Sequence, residues 1–288
     1  MNATAHPATE PVNPLARGRD LIRVYVWEKP VRIAHWVIFF SIFVLAFTGY
    51  YMYNPFVISR GNSVFLMAKM HFVHEVTAFV FIGAVLVRSY WWFTGSGWAH
   101  WTGFVSAKGW WRRGLWRQLK YYFFLRNRPS TTLGHNPLAS VTYMFIWALF
   151  VVEIVTGMAL LDFVGGLGHG ALAVCFGWVF SILSVTYVRE VHFLIMFAFL
   201  AFVIHHVYSA VLVSMEEGTG LMDAIFSGYK FFPARCIATD PTRRPGEGRV
   251  PDAVLVRAME ETPGGGSPSG KQPATGPAQS LTQPKSEG

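Results

Sequence analysis

Between Val191 and Val213 the chain reads VHFLIMFAFLAFVIHHVYSAVLV, with no acidic or basic side chain. His192 lies near the start of this run, and His205 and His206 near its end. About 20 apolar residues form a helix long enough to cross a bilayer, and histidines inside such a run usually face a protein interior or a cofactor. His192 and His206 are fourteen residues apart, which at ~1.5 Å rise per residue is roughly 21 Å of axis. Fourteen residues is also two heptads, so in a left-handed bundle both imidazoles point to one seam. His205, thirteen residues on, is rotated to another face. One helix therefore presents an inward imidazole near each membrane surface, and partners are needed for both.

The rest of the chain has the character such a helix needs. Hydrophobic residues make up 52% and charged residues only 14%, against about a quarter charged in soluble domains. The apolar residues are concentrated in segments, which predicts an all-α integral membrane protein. The net charge of +8 sits beside hydrophobic spans, so it reports topology rather than nucleic-acid binding. Cys175 and Cys236 are far apart and in no Cys-x-x-Cys-His pattern. That argues against a disulfide framework, a zinc site and covalent haem attachment.

Residues 1–23 read as a flexible polar arm, and 24–232 as one domain with spans at about 33–52, 72–93, 138–161 and 191–213. Pro30 suits the first turn of the first span. Residues 94–137 are strongly basic, and GWWRRGLWRQLKYYFFL interleaves aromatic and basic side chains in the manner of a surface helix on an anionic membrane. Ala171 to Val188 is uncharged and readable as a fifth span. However, only Arg189 and Glu190 separate it from the fourth, with no Gly or Pro to turn the chain, so it is placed against the bundle top. Residues 240–288 are rich in Pro, Gly, Ser and Thr and are expected to be disordered. No soluble domain is apparent. The predicted fold is thus a four-helix transmembrane bundle with a cytoplasmic surface helix and a periplasmic connecting segment.

Lys and Arg are abundant in the arm, the 94–137 loop and the tail, and sparse in the other two connections (Arg60, Lys69 and Arg189). The positive-inside rule puts both termini in the cytoplasm, and depth then follows for each histidine. His35 lies near the inner side, His71 and His74 near the outer side, His192 outside and His206 inside. The levels pair His74 with His192 and His35 with His206, as two bis-histidine haems require. A lone histidine at a helix end is usually interfacial, but four at matching depths outweigh that reading. The two pairs are too far apart for one zinc site. His74 is preferred to His71 because it is deeper. His71 could hydrogen-bond a propionate or be merely interfacial, and Arg88 could snorkel or pair with a propionate. Glu153 reads equally as a hydrogen-bond or proton group near a cofactor and as a protonated buried carboxyl. His135 is read as a loop or cap residue, and His100 and His169 as surface histidines.

Several stretches together resemble the b-type cytochrome subunit of membrane-bound nickel–iron uptake hydrogenases, over about Val24 to Phe232. They are VWEKPVRIAHW, TGYYM, RSYWWFTG, RPSTTLGHNPLA, TGMAL, HHVYSA and GYKFF. The cytochrome b subunits of formate dehydrogenase are similar to this plan. The resemblance implies that His35, His74, His192 and His206 ligate two haem b groups, in the pairing above. It implies as partner the hydrogenase small subunit, an iron–sulfur protein with a C-terminal membrane helix, and through it the large subunit. Electrons from hydrogen would pass through both haems to a membrane quinone, in the bacterial inner membrane. The chain itself would hold no hydrogen-activating site. The competing readings are a subunit of another periplasmic dehydrogenase and a non-redox proton or metal transporter.

Overall fold

A computed structural model describes residues 21–56, 65–104, 109–125, 133–165, 171–240 and 243–260. Four helices are long and apolar enough to cross a membrane. They are α1 (Lys29–Tyr53), α2 (Leu66–Thr94), the long helix α5 (Pro137–Gly165), which follows the short α3 (Trp101–Phe104) and α4 (Gly109–Tyr122), and α8 (Val185–Glu217), which follows α6 (Ala171–Phe176) and α7 (Val179–Ile182). The rods run past the expected apolar spans at both ends of each helix because helical hydrogen bonding continues through the interfacial residues.

Local chemistry explains where they begin and end. Pro30 and Pro137 sit in first turns, where a missing N–H costs nothing. Asn136 caps α5, its Oδ1 accepting from Ala139 N–H at 2.8 Å. Gly218 closes α8 in the left-handed conformation, its N–H bonded to Ser214 O. The Ala171–Val188 stretch is broken into α6, α7 and the first turn of α8. Leu183 and Ser184 are extended between α7 and α8, so the turn is made without Gly or Pro and no fifth span forms.

Helix α1 packs against α2 and α8, and α5 against α8. Mid-bundle, Ile42, Phe81, Phe150 and Phe199 are buried in a common core with Val85, Ile146, Ile195 and Val203. Phe150 stacks edge-on against Phe81 and tilted against Phe199, each at 5.0 Å between ring centres.

The end of the bundle at which α1 begins and α8 finishes, where the described residues start and stop, is closed by a second core, which the reading without a soluble domain does not anticipate. Strand β1 (Leu21–Tyr25) pairs antiparallel with β2 (Tyr229–Pro233), from Leu21 opposite Pro233 to Tyr25 opposite Tyr229. Residues 21–23, expected to belong to the arm, are therefore part of strand β1, and the ribbon ties the start of α1 to the segment after α8. Val24, Val26, Trp27, Trp98, Leu133, Phe232 and Ile237 are buried there together. So are Val250 and Leu255, which corrects the expectation of disorder from residue 240. A 3₁₀ turn (Glu247–Arg249) and α11 (Asp252–Glu260) follow α9 (Leu221–Ser227) and α10 (Ala234–Ala238) onto this cap. The Pro/Gly-rich average of the tail hides this short apolar pair, which the cap needs for closure. The segment is held by Glu247 Oε1, which accepts Gly97 N–H at 2.8 Å. Residues 1–20 and 261–288, like Arg60, Lys108, Arg126, Arg128 and His169, lie outside the described residues.

Candidate functional site

Three layers of seam residues, seven apart on every long helix, organise the bundle interior. On α1 they are His35, Ile42 and Gly49, and on α2 they are Arg88, Phe81 and His74, running antiparallel. On α5 they are Tyr143, Phe150 and Gly157, and on α8 they are His206, Phe199 and His192. A step of seven keeps a side chain on the supercoil seam, so each layer takes one residue from each helix. The middle layer is the buried apolar core. The layer nearest the termini holds His35, Arg88, Tyr143 and His206. The distal layer holds Gly49, His74, Gly157 and His192.

The structure brings the four expected histidines together in the two expected pairs. The ring centres of His74 and His192 are 6.4 Å apart, and those of His35 and His206 are 6.3 Å apart. An imidazole nitrogen sits ~2 Å from a coordinated first-row metal and about 1 Å from its own ring centre, so two rings on opposite faces of one iron have centres roughly 6 Å apart. Among the described residues no group of three or more His, Cys, Asp or Glu is placed to hold a bare metal ion. Ligands in twos suit a macrocycle that supplies the remaining four positions.

The supporting contacts of the distal pair come from two Thr-Gly steps. Thr48 Oγ1 donates to Val44 O at 2.7 Å and stands 2.8 Å from His74 Nδ1. Thr156 Oγ1 donates to Val152 O at 2.8 Å and stands 3.0 Å from His192 Nδ1. With its proton given to the helix, each hydroxyl accepts Nδ1–H. That sets the tautomer in which Nε2 keeps its lone pair free to ligate a metal. The adjacent glycines make room: a Cβ on Gly49 would lie 3.4 Å from His74 Cε1, and one on Gly157 3.0 Å from His192 Cε1. A cavity of about 460 Å³ opens beside this pair, lined by His71, Glu75, Ile82, Met158 and Arg189 among others. That volume is in the range of cofactor sites. Glu153 Oε1 lies 3.4 Å from His192 Nδ1, which favours the reading of Glu153 as a group at the cofactor site. The donor set, the space and the spacing fit a bis-imidazole haem.

The pair nearer the termini is supported differently. Tyr143 Oη stands 3.3 Å from His206 Nδ1, and Phe202 stacks on the His206 ring at 5.4 Å. His35 Nδ1 is buried without a partner among the described residues. His205 is on the exposed face of α8, 3.5 Å from Ser209 Oγ, so the helix register assigns the seam to His206. His71 lines the distal cavity near His74.

Beneath this pair, His135 is the loop residue just before the Asn136 cap, as expected, and its ring is packed among aromatic side chains. Its ring packs 4.4 Å from Phe104, 4.7 Å from Trp27 and 5.3 Å from Tyr143. Burial, with Arg88, Lys230 and His206 nearby, holds it well below the ordinary histidine value, so it is neutral. Lys230 is fully buried, donates to Leu133 O at 3.0 Å and lies over Trp27. Burial lowers its ammonium to about 8, against the opposing pull of Glu217 and Asp240.

Thr48, Gly49, Tyr143, Thr156 and Gly157 are site residues that a search for histidines passes over. The signal for them is the seven-residue register counted outward from each histidine. Glu28, whose Oε2 accepts from Trp91 Nε1 at 2.9 Å and Ser96 N–H at 3.1 Å, joins α1 to the end of α2.

Residues 26–228 match the family model of prokaryotic cytochrome b561. A protein of Azotobacter chroococcum, named a probable Ni/Fe-hydrogenase B-type cytochrome subunit, is 34% identical over 228 residues, covering 75% of this chain and 93% of its own. A Cupriavidus necator protein of the same name is 34% identical, covering 76% and 91%. The Escherichia coli K12 protein named probable Ni/Fe-hydrogenase 1 B-type cytochrome subunit is 31% identical, covering 74% and 93%.

Proposed function

This chain belongs to the prokaryotic cytochrome b561 family, and from that premise we propose that it is the b-type cytochrome subunit of a nickel–iron hydrogenase, carrying electrons from hydrogen oxidation to membrane quinone. His74 and His192 hold one haem b, and His35 and His206 a second. The observation that carries this reading is the pair of imidazole separations, 6.4 and 6.3 Å, two heptads apart on one seam. Bound there, each haem supplies a reversible one-electron carrier. The chain's own residues bind and orient. Thr48 and Thr156 fix the tautomers of the distal imidazoles, Gly49 and Gly157 leave room for the macrocycle, and the Ile42–Phe81–Phe150–Phe199 layer keeps water from the space between the pairs.

The termini face the cytoplasm in this reading. The cap end exposes Arg112, Arg113, Arg117 and Arg244, and the opposite end is poor in Lys and Arg. The distal pair then lies toward the periplasm, where the iron–sulfur small subunit of the hydrogenase, with its C-terminal membrane helix, delivers electrons and is anchored. Quinone is reduced near His35 and His206. The membrane is the bacterial inner membrane.

A reduced-minus-oxidised spectrum of the purified protein, with haem counted per chain, tests this. Two b-type haems per chain are expected. No haem band contradicts the cytochrome reading and favours a non-redox transporter. Copurification with a hydrogenase small subunit supports the assigned partner, and copurification with a formate dehydrogenase instead contradicts it.

A further inference from the structure

In the layer nearest the termini, His35 and His206 occupy the α1 and α8 seam positions and Tyr143 the α5 position. The α2 position, fourteen residues on from His74, is Arg88. This residue is only 8% exposed, yet a guanidinium carries five N–H donors and a permanent charge. Among the described residues its one hydrogen bond is a 3.5 Å approach of Nη1 to Ala99 O, and it makes no ion pair within 4 Å. Glu28, the carboxylate whose field reaches it, spends Oε2 on Trp91 and Ser96. The Trp92 and Phe104 rings lie 5.8 and 5.4 Å from the guanidinium carbon. Two more polar groups around it are buried without partners among the described residues, Trp92 Nε1 and His135 Nδ1. A buried charge without a counterion is strongly unfavourable. This layer is therefore rich in donors and short of an acceptor. The distal layer is the opposite: each of its histidines has a threonine acceptor, and its remaining positions are glycine.

We propose that Arg88, with the Trp92 indole N–H and the His135 imidazole beside it, forms a carboxylate site for the propionate side chains of the haem held by His35 and His206. A carboxylate accepts the guanidinium fork bidentately and supplies the charge this layer lacks. Arg88 is in this account a positioning residue. It fixes which edge of the macrocycle faces the cap, and it stabilises the reduced haem, whose iron carries less positive charge. The proposal rests on the two-haem reading above.

The test uses the full-length protein carrying His74→Ala, so that the remaining haem signal comes from the termini-end pair. Arg88→Gln in this background is compared with the parent for haem transfer to a haem-scavenging protein and for midpoint potential. Loss of one charge-assisted hydrogen bond predicts transfer faster by roughly tenfold or more, with a lower midpoint. Arg88→Lys, which keeps the charge but not the fork, falls between, and it serves as the readout if Arg88→Gln does not accumulate. Transfer rates and midpoints that are indifferent to both substitutions overturn the proposal, since they mean that water satisfies these donors. Absence of haem from the wild-type chain contradicts the two-haem reading itself.

Discussion

Thr48 Oγ1 lies 2.8 Å from His74 Nδ1 while donating its own proton to the carbonyl one turn earlier. A hydroxyl so committed can only accept, and the imidazole is thereby held with Nε2 unprotonated. Thr48→Val keeps the shape and removes the acceptor. The imidazole N–H left without an acceptor is expected to cost about 1–3 kcal/mol and, in the proposed two-haem arrangement, to weaken the hold on haem at this pair by roughly 10- to 100-fold, seen as faster haem loss at one of the two sites. Thr48→Ser should restore most of it.

The two glycines should not tolerate alanine equally. The added Cβ would be 3.0 Å from His192 Cε1 at position 157, but 3.4 Å from His74 Cε1 at position 49. The first is tighter than ordinary contact and displaces the ring, whereas the second is close to it. Gly157→Ala is expected to cost haem content at the distal pair, measured as haem per chain. Gly49→Ala should cost less.

Much of this site was legible from residues alone. The fourteen-residue interval between His192 and His206, together with the charge asymmetry of the loops, located four spans and two depths, and the structure sets the same residues face to face. The partners Thr48, Thr156 and Tyr143 were not legible, because a hydroxyl in an apolar helix commonly bonds its own backbone and reveals nothing of its neighbours. The cap was missed for another reason. Strands β1 and β2 meet across the whole bundle, with the paired residues Tyr25 and Tyr229 lying 204 positions apart, and five-residue strands leave no periodic signal of their own. Val250 and Leu255 were averaged away by the Pro/Gly-rich sequence around them.

The cap gives a clean test of that correction. Leu255 is 3% exposed and Val254, its neighbour, 43%. Leu255→Ala should destabilise the protein by about 2–5 kcal/mol, and Val254→Ala by under ~1 kcal/mol. Thermal unfolding in detergent checks both. Equal effects would mean that α11 does not contribute to the core.

Lys230 predicts the pH response. Its folded value, about 8, lies below the ordinary lysine value because of burial. Between the two values the unfolded chain binds the proton and the folded chain does not, so stability rises with pH across that window. Below pH 8 both states are protonated, and the full cost of the buried charge, offset in part by Glu217, is present. Thermal stability of the wild type is therefore expected to increase from pH 8 toward 10. Lys230→Met should flatten that increase.

The central claim is that two imidazole pairs hold two separate haems at two depths. Single alanine replacements of His35, His74, His192 and His206, each read by haem content and redox titration, test it most directly. His74→Ala and His192→Ala should lose the same haem, and His35→Ala and His206→Ala the other, with the remaining midpoint kept in each case. Loss of one common haem by His192→Ala and His206→Ala would contradict the account.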